Sequence, residues 1–178
     1  KKANLKIAQT SKSFKLYKED ILNFSSIHKI FKKEKPEFVI HLAARAGVRP
    51  SIKNPKLYAE VNVLGTVNLL KLSVDFNVKK FIFGSSSSVY GNSLNIPFSE
   101  DDLCQNLISP YGSSKRAAEF WIESFYHSFG LSSIILRFFT VYGPRGRVDM
   151  APSIFANALL KDEEILQFGN GSTSRDYT

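Results

Sequence analysis

Tyr111 and Lys115 stand four residues apart in Tyr111-Gly112-Ser113-Ser114-Lys115, a spacing that sets both side chains on one face of a helix. An ammonium beside a phenol draws the phenol's pKa from near ~10 toward neutrality and makes it a usable base. The spacing alone is unspecific. It gains force because a run of serines at 85–88 lies upstream, directly after the apolar segment Phe81-Ile82-Phe83. Such a run supplies hydroxyl donors and acceptors at a strand end. Ser, Tyr and Lys together form the proton relay of a dehydrogenase-type site. A second polar loop, Thr140-Val141-Tyr142-Gly143-Pro144-Arg145-Gly146-Arg147, follows another apolar run and joins glycines to arginines. Guanidinium groups there suit a phosphate or a carboxylate, which they grip with paired donors. A third, Ala43-Ala44-Arg45-Ala46-Gly47, has small residues that let a flat ligand approach the backbone.

These loops need elements to hold them. Residues 38–44 form a β-branched apolar run after Pro36, which reads as a strand buried on both faces. Residues 80–83 and 133–139 read as further strands, and 14–21 as a short alternating one. Helical spacing covers 25–33 with Ser25 or Ser26 as N-cap, then 56–76, 113–129 and 152–160. The 113–129 helix is expected to turn Ala117, Trp121 and Phe125 to one face. Strand–helix alternation with right-handed crossovers predicts an α/β fold, a doubly wound parallel sheet covered on both faces. Ligands of such sheets bind beyond the carboxyl ends of the strands, where all three polar loops fall.

The 178 residues, 43% hydrophobic and 22% charged, suffice for one core and exclude a wholly disordered chain. No window approaches ~18 uninterrupted apolar residues, so no membrane span is expected. A single cysteine, Cys104, excludes a disulfide framework and a cysteine-based zinc cluster; His28, His41 and His127 lack metal spacing. The net charge of +8 is uneven: residues 1–80 hold 17 Lys and Arg against 6 Asp and Glu, residues 81–178 hold 7 against 10. The lysines are scattered among apolar residues, which reads as a solvated surface rather than a nucleic-acid footprint. The chain begins at Lys1 and its one methionine is Met150, a start that predicts a piece of a longer protein.

HLAARAGVR (41–49), SSSSVYG (85–91), YGSSK (111–115), LRFFTVYGPRGRVDMA (136–151) and terminal RDYT (175–178) resemble one family. It is the extended short-chain dehydrogenase/reductases of the nucleotide-sugar epimerase and dehydratase type, and within them the UDP-glucuronate 4-epimerases. The resemblance implies a Rossmann-like fold, NAD as cofactor, a UDP-sugar substrate and inversion at C4 through a transient 4-keto sugar. By position, Ser86, Tyr111 and Lys115 match the catalytic hydroxyl, the base and its lysine, which also contacts the nicotinamide ribose. Asp20 and Ile21 match an adenine-contacting pair, Leu42, Ala43 and Ala44 a segment lining the cofactor, and Asn62 a supporting asparagine. Phe138 and Val141 match further cofactor neighbours. Thr140 falls near the sugar and diphosphate, and Arg175 matches the diphosphate arginine. Arg147 and Arg49 are the candidates for the uronate carboxylate, with Ser87 and Ser88 beside Ser86 in the substrate site.

Ser87-Ser88 stands where dehydratases and decarboxylases of the family carry acids. Pro50, Arg145 and Val148 replace residues usual in the glucuronate epimerases, which leaves UDP-glucose or UDP-N-acetylglucosamine as alternative substrates. An alternative of another class is a non-catalytic nucleotide- or RNA-binding module, though no RNA-recognition motif is present. The Gly-rich turn for the cofactor pyrophosphate is missing and is expected before Lys1, so the sheet is expected to be incomplete. Residues 1–148 are expected to form a partial NAD-binding domain and 149–178 the start of a substrate domain. The isolated chain is expected to bind NAD poorly and to turn over nothing. The full-length protein is expected to be a homodimer through the 56–76 and 113–129 helices, without nucleic-acid or membrane partners. One cysteine and a nicotinamide cofactor suit a reducing compartment, hence a cytoplasmic location.

Overall fold

Three apolar runs pair as strands: β1 (Phe38–His41), β2 (Lys80–Gly84) and β3 (Ser133–Leu136), in the order β1-β2-β3 and all parallel. The register sets Ile40 beside Ile82 and Ile82 beside Ile134 on one face, and Phe83 beside Ile135 on the other. The computed structural model describes residues 5–144, 146–166, 170 and 177. It divides into two compact units, Tyr17–Phe138, which holds the sheet, and Lys1–Leu16 together with Phe139–Thr178.

The helices of the sheet unit are α1 (Phe24–Glu34), α2 (Val48–Lys53), α3 (Pro55–Tyr58), α4 (Gly65–Asp75) and α5 (Pro110–Phe129). Ile27 and Phe31 from α1, Leu69, Leu70 and Leu72 from α4, and Ala118, Ile122 and Phe125 from α5 pack with Phe81 and Phe83 in one core. Helices α4 and α5, in the crossovers from β1 to β2 and from β2 to β3, thus share one face of the sheet, as right-handed connections running in one direction require, and α1 packs on the same face. The opposite face is open. Phe38, Ile40 and Leu42 are 59%, 65% and 63% exposed, and Ile134, Leu136 and Phe138 about 40%. The expectation that the first strand is buried on both sides is therefore corrected: no helix of the sheet unit lies on its second face.

Element limits shift for local reasons. Helix α1 is capped by Asn23, whose side chain accepts from Ser26 N at 3.1 Å, not by Ser25 or Ser26. The expected helix over 56–76 is broken: α3 starts at Pro55, a π-helical turn spans Ala59–Leu64, and α4 follows. That wider turn carries Asn62, which is 1% exposed. The buried stripe of α5 runs through Lys115, Ala118, Glu119, Ile122 and Phe125, while Trp121 is 44% exposed. Apolar periodicity misplaced this face because two charged residues lie on its buried side. Residues 14–21 form no strand, since none of the described strands pairs with them. In the second unit, Thr140 bridges to Tyr177, and α6 (Ala151–Lys161) has Pro152 in its first turn. Among the described residues no helix is long and apolar enough to cross a membrane.

Candidate active site

Helix α5 begins at a well-made cap. Ser109 Oγ accepts from Gly112 N at 3.0 Å, and Pro110 fills the first helical position. Tyr111 N, a donor with no partner inside the helix, donates to Ser51 Oγ at 3.1 Å. The Tyr111 ring meets the ring of Tyr58 edge to face, with centroids 6.2 Å apart. Tyr58 is itself buried and donates its hydroxyl to Ala46 O at 2.8 Å.

One turn further, Lys115 is 3% exposed. Its ammonium donates to Gly84 O at 2.7 Å and lies 4.6 Å from the centre of the Phe83 ring. Burial draws its pKa down to about 8, with the Glu119 carboxylate pulling the other way. The serine turn sits against the same helix start: a Cβ on Gly112 would come within 2.6 Å of Ser88 O. Ser86 caps a short 3-10 turn, Ser87–Tyr90, and its Oγ accepts from Ser88 N at 3.2 Å. Ser85 N and Ser87 N donate to Leu136 O and Phe138 O, both at 2.8 Å, so the turn continues the β2–β3 ladder. Tyr111, Lys115 and the 86–88 turn are thus brought together at the carboxyl ends of β2 and β3.

The loop after β1 is held from behind. Asn62 Oδ1 accepts from Arg45 N at 2.7 Å, and its Nδ2 donates to Arg45 O at 3.0 Å and Ser114 Oγ at 2.9 Å. Ser114 passes the link to Tyr111 O at 2.8 Å. Leu42 and Ala43 remain exposed and Ala44 half-buried. His41, buried, bonds Thr66 Oγ1 through Nε2 at 2.9 Å. Thr66 has one hydroxyl proton and gives it to Asn62 O at 2.6 Å, so His41 Nε2 carries the hydrogen. Burial first, and then the Lys115 charge, lower the His41 pKa to about 4. Asp20 is exposed and accepts from Leu22 N at 2.9 Å. Ile21 packs over Gly65, and its carbonyl accepts from Asn68 Nδ2 at 3.0 Å.

Arg49 is exposed on α2. Thr140, Val141 and Arg147 belong to the second unit, where Val141 is exposed. Arg147 bonds Asp149 twice, at 3.0 and 2.5 Å, which holds that carboxyl below the usual carboxylate range. Arg175 lies outside the described residues. Sequence reading passed over Glu119, Arg137, Tyr58 and His41. Glu119 had one usable signal, its place four residues beyond Lys115 on the same helical stripe.

The donor set fits one flank of a dinucleotide. The exposed Asp20 carboxylate can accept from ribose hydroxyls, the open Leu42–Ala43 backbone admits a flat ring, and Lys115 has donors beyond the one given to Gly84 O. A Gly-rich strand-to-helix turn for the pyrophosphate does not occur in the sequence.

All 178 residues match the model of the NAD dependent epimerase/dehydratase family. The chain is 44% identical over 168 residues to a UDP-glucuronate 4-epimerase of Thermodesulfobacterium geofontis, covering 94% of this chain and 52% of that protein. Its structure is similar to that of UDP-glucuronic acid 4-epimerase from Bacillus cereus in complex with UDP-glucuronic acid and NAD. That match has a TM-score of 0.90 and 37% identity, over 99% of this chain and 55% of the other. A UDP-glucose 4-epimerase from Thermotoga maritima with UDP-glucose matches at 0.87 and 34% identity, over 97% of this chain and 57% of the other. The chain spans about half the length of the curated relatives it matches. On its full-length family match and its parallel sheet with the Tyr–Lys helix, the chain belongs to the NAD-dependent epimerase/dehydratase family.

Proposed function

We propose that the protein containing this chain inverts C4 of UDP-glucuronate to give UDP-galacturonate, through a transient 4-keto sugar. The observation that carries this reading is the buried Lys115 ammonium, fixed on Gly84 O one turn below Tyr111 and beside a serine turn that holds no acid. The residues that would hold NAD are Asp20, Ile21, Leu42, Ala43, Ala44, Phe138, Val141 and Lys115, with Asn62 supporting them. NAD, when bound, supplies reversible hydride acceptance at the sugar carbon.

Tyr111 takes the proton of the C4 hydroxyl as that carbon is oxidised and returns it after the keto sugar presents its other face. Lys115 sets its ammonium one helical turn from Tyr111, and Ser86 donates a hydrogen bond to the reacting oxygen. A 4-keto uronate is a β-keto acid and loses CO₂ unless its carboxylate is held out of line with the ketone. Arg147, Arg49 and Ser88 are proposed for that task, with Ser87 beside them and Thr140 and Arg175 on the diphosphate. Arg147 would exchange Asp149 for the substrate carboxylate.

Tyr111→Phe is expected to lower kcat about 10²–10⁴-fold, as loss of a general base does. The expected product is the C4 epimer, with no release of CO₂ or net NADH; a UDP-pentose product overturns the reading. A neutral UDP-hexose is the second reading, favoured by the pairing of Arg147 with Asp149. Arg147→Ala separates the two: it should depress turnover of the uronate far more than that of UDP-glucose.

Residues 1–148 are proposed to serve the cofactor and 149–178 to begin the substrate domain. The proposed homodimer is supported by Leu64, Phe120 and Trp121, 51%, 53% and 44% exposed on the π-turn and on α5. A cytoplasmic location is proposed from the cofactor class.

A further inference from the structure

Glu119 is a carboxylate that the proposed chemistry does not use, yet it is 1% exposed. It is fully engaged. Ser85 Oγ donates to its Oε1 at 2.5 Å, Arg116 to Oε2 at 2.7 Å, and Arg137 to both oxygens at 3.3 and 3.1 Å. Each arginine reaches further. Arg116 donates to Leu103 O at 3.0 Å, and Arg137 to Glu100 O at 3.1 Å and to Tyr90 Oη at 3.4 Å.

The placement of these bonds is what matters. Lys115 and Glu119 are one turn apart on α5, and they seize two consecutive residues at the end of β2. Lys115 takes the carbonyl of Gly84, and Glu119 takes the hydroxyl of Ser85. Arg137 follows β3 directly and stands between Leu136 and Phe138, whose carbonyls accept from Ser85 N and Ser87 N. Glu119 therefore binds both strands where the serine turn leaves them. A residue needed only for stability could sit anywhere in the core, where replacing a buried ion cluster by apolar groups is often neutral. This one sits on the last fixed points before Ser86.

We infer that Glu119 is a positioning residue: through Ser85 and Arg137 it fixes the strand end that presents Ser86 and holds Lys115 on Gly84 O. The inference rests on the proposed function for its catalytic consequence, but its structural part does not. The charged and titratable groups around Lys115 are few. His41 faces it from β1 as a neutral ring, Phe83 and the Gly84 carbonyl face it from β2, and Tyr111 and Glu119 flank it on α5. Removing the Glu119 charge leaves Arg116 and Arg137 uncompensated near the ammonium, which then gives up its proton more readily.

The test compares Glu119→Gln and Ser85→Ala in the full-length protein. One readout needs no turnover: the ¹³Cε resonance of Lys115, titrated in selectively labelled protein. The parent should titrate near 8. Glu119→Gln should titrate lower by roughly half a unit or more. The second readout is kinetic, with NAD and UDP-glucuronate. Glu119→Gln should lower kcat about tenfold, with KM within about twofold and the alkaline limb of the pH profile displaced toward acid. Ser85→Ala removes only a hydroxyl, keeps the fold if Glu119→Gln does not, and should lower kcat about threefold at unchanged KM. A displaced Lys115 titration in a protein that proves inactive on every UDP-sugar supports the inference and sinks the proposed function. Unchanged Lys115 titration together with kcat within twofold of the parent in the folded variants overturns the inference.

Discussion

The two faces of the sheet are built from the same kinds of residue and end in opposite conditions. On one, Phe81 and Phe83 are 0% and 1% exposed beneath α1, α4 and α5. On the other, Ile40 and Leu136 stand 65% and 38% exposed on β1 and β3. The buried ionisable groups Lys115, Glu119 and His41 lie with the covered face or its strand ends. The difference shows that apolarity marks a strand for burial but does not say by what. The proposed chemistry depends on the covered face, because there the Lys115 ammonium is far enough from water to have its pKa lowered by burial.

The contrast can be broken most directly by truncation. Phe81→Ala should destabilise the chain by about 3–5 kcal/mol in urea unfolding, the usual result for a phenylalanine lost from a close-packed core. Ile40→Ala should change it by no more than about 0.5 kcal/mol and should reduce the binding of an apolar fluorescent dye. Equal losses from both variants would mean that the open face is covered in solution.

A smaller effect follows from His41. Its folded pKa is depressed from 6.5 to about 4, so the unfolded chain binds a proton more readily. Stability from this group is complete above about pH 6.5 and declines as pH falls toward 4, by at most about 3 kcal/mol. His41→Asn should flatten that part of the pH–stability curve; an unchanged slope would assign acid sensitivity elsewhere.

Gly112 offers the finest probe of how closely the covered side is fitted. Gly112→Ala puts a methyl group 2.6 Å from Ser88 O. It should cost about 1–3 kcal/mol, since the contact is with backbone and must be relieved by moving helix or turn. Activity should fall with it, as Ser86 is displaced from Tyr111; a fully active, fully stable variant would show that the turn can give way.

Much of this was legible in the sequence. The three strands follow from apolar runs, and the Tyr111–Lys115 pair with its serine turn follows from spacing and order along the chain. Other parts were not. The face of α5 was misread because Lys115 and Glu119, charged residues, lie on its buried stripe, and burial of charge depends on partners far along the chain: Gly84, Ser85 and Arg137. The break at Ala59–Leu64 was hidden because the segment holds no proline or glycine to mark it, and the wider turn shifts the register so that Leu64, in step with the apolar series, is 51% exposed. Helical spacing also could not tell that Arg147 closes on Asp149, two residues away.

Gly84 has a consequence for how this site can change over generations. The atom that holds Lys115 is its main-chain carbonyl, and its missing side chain leaves the space taken by Leu42, whose Cδ2 would lie 2.7 Å from an added Cβ. No substitution can delete that acceptor, because every residue brings the same carbonyl. Variation at this strand end can therefore reshape what surrounds the ammonium, or crowd Leu42, while the proton-holding contact itself is inherited with the backbone.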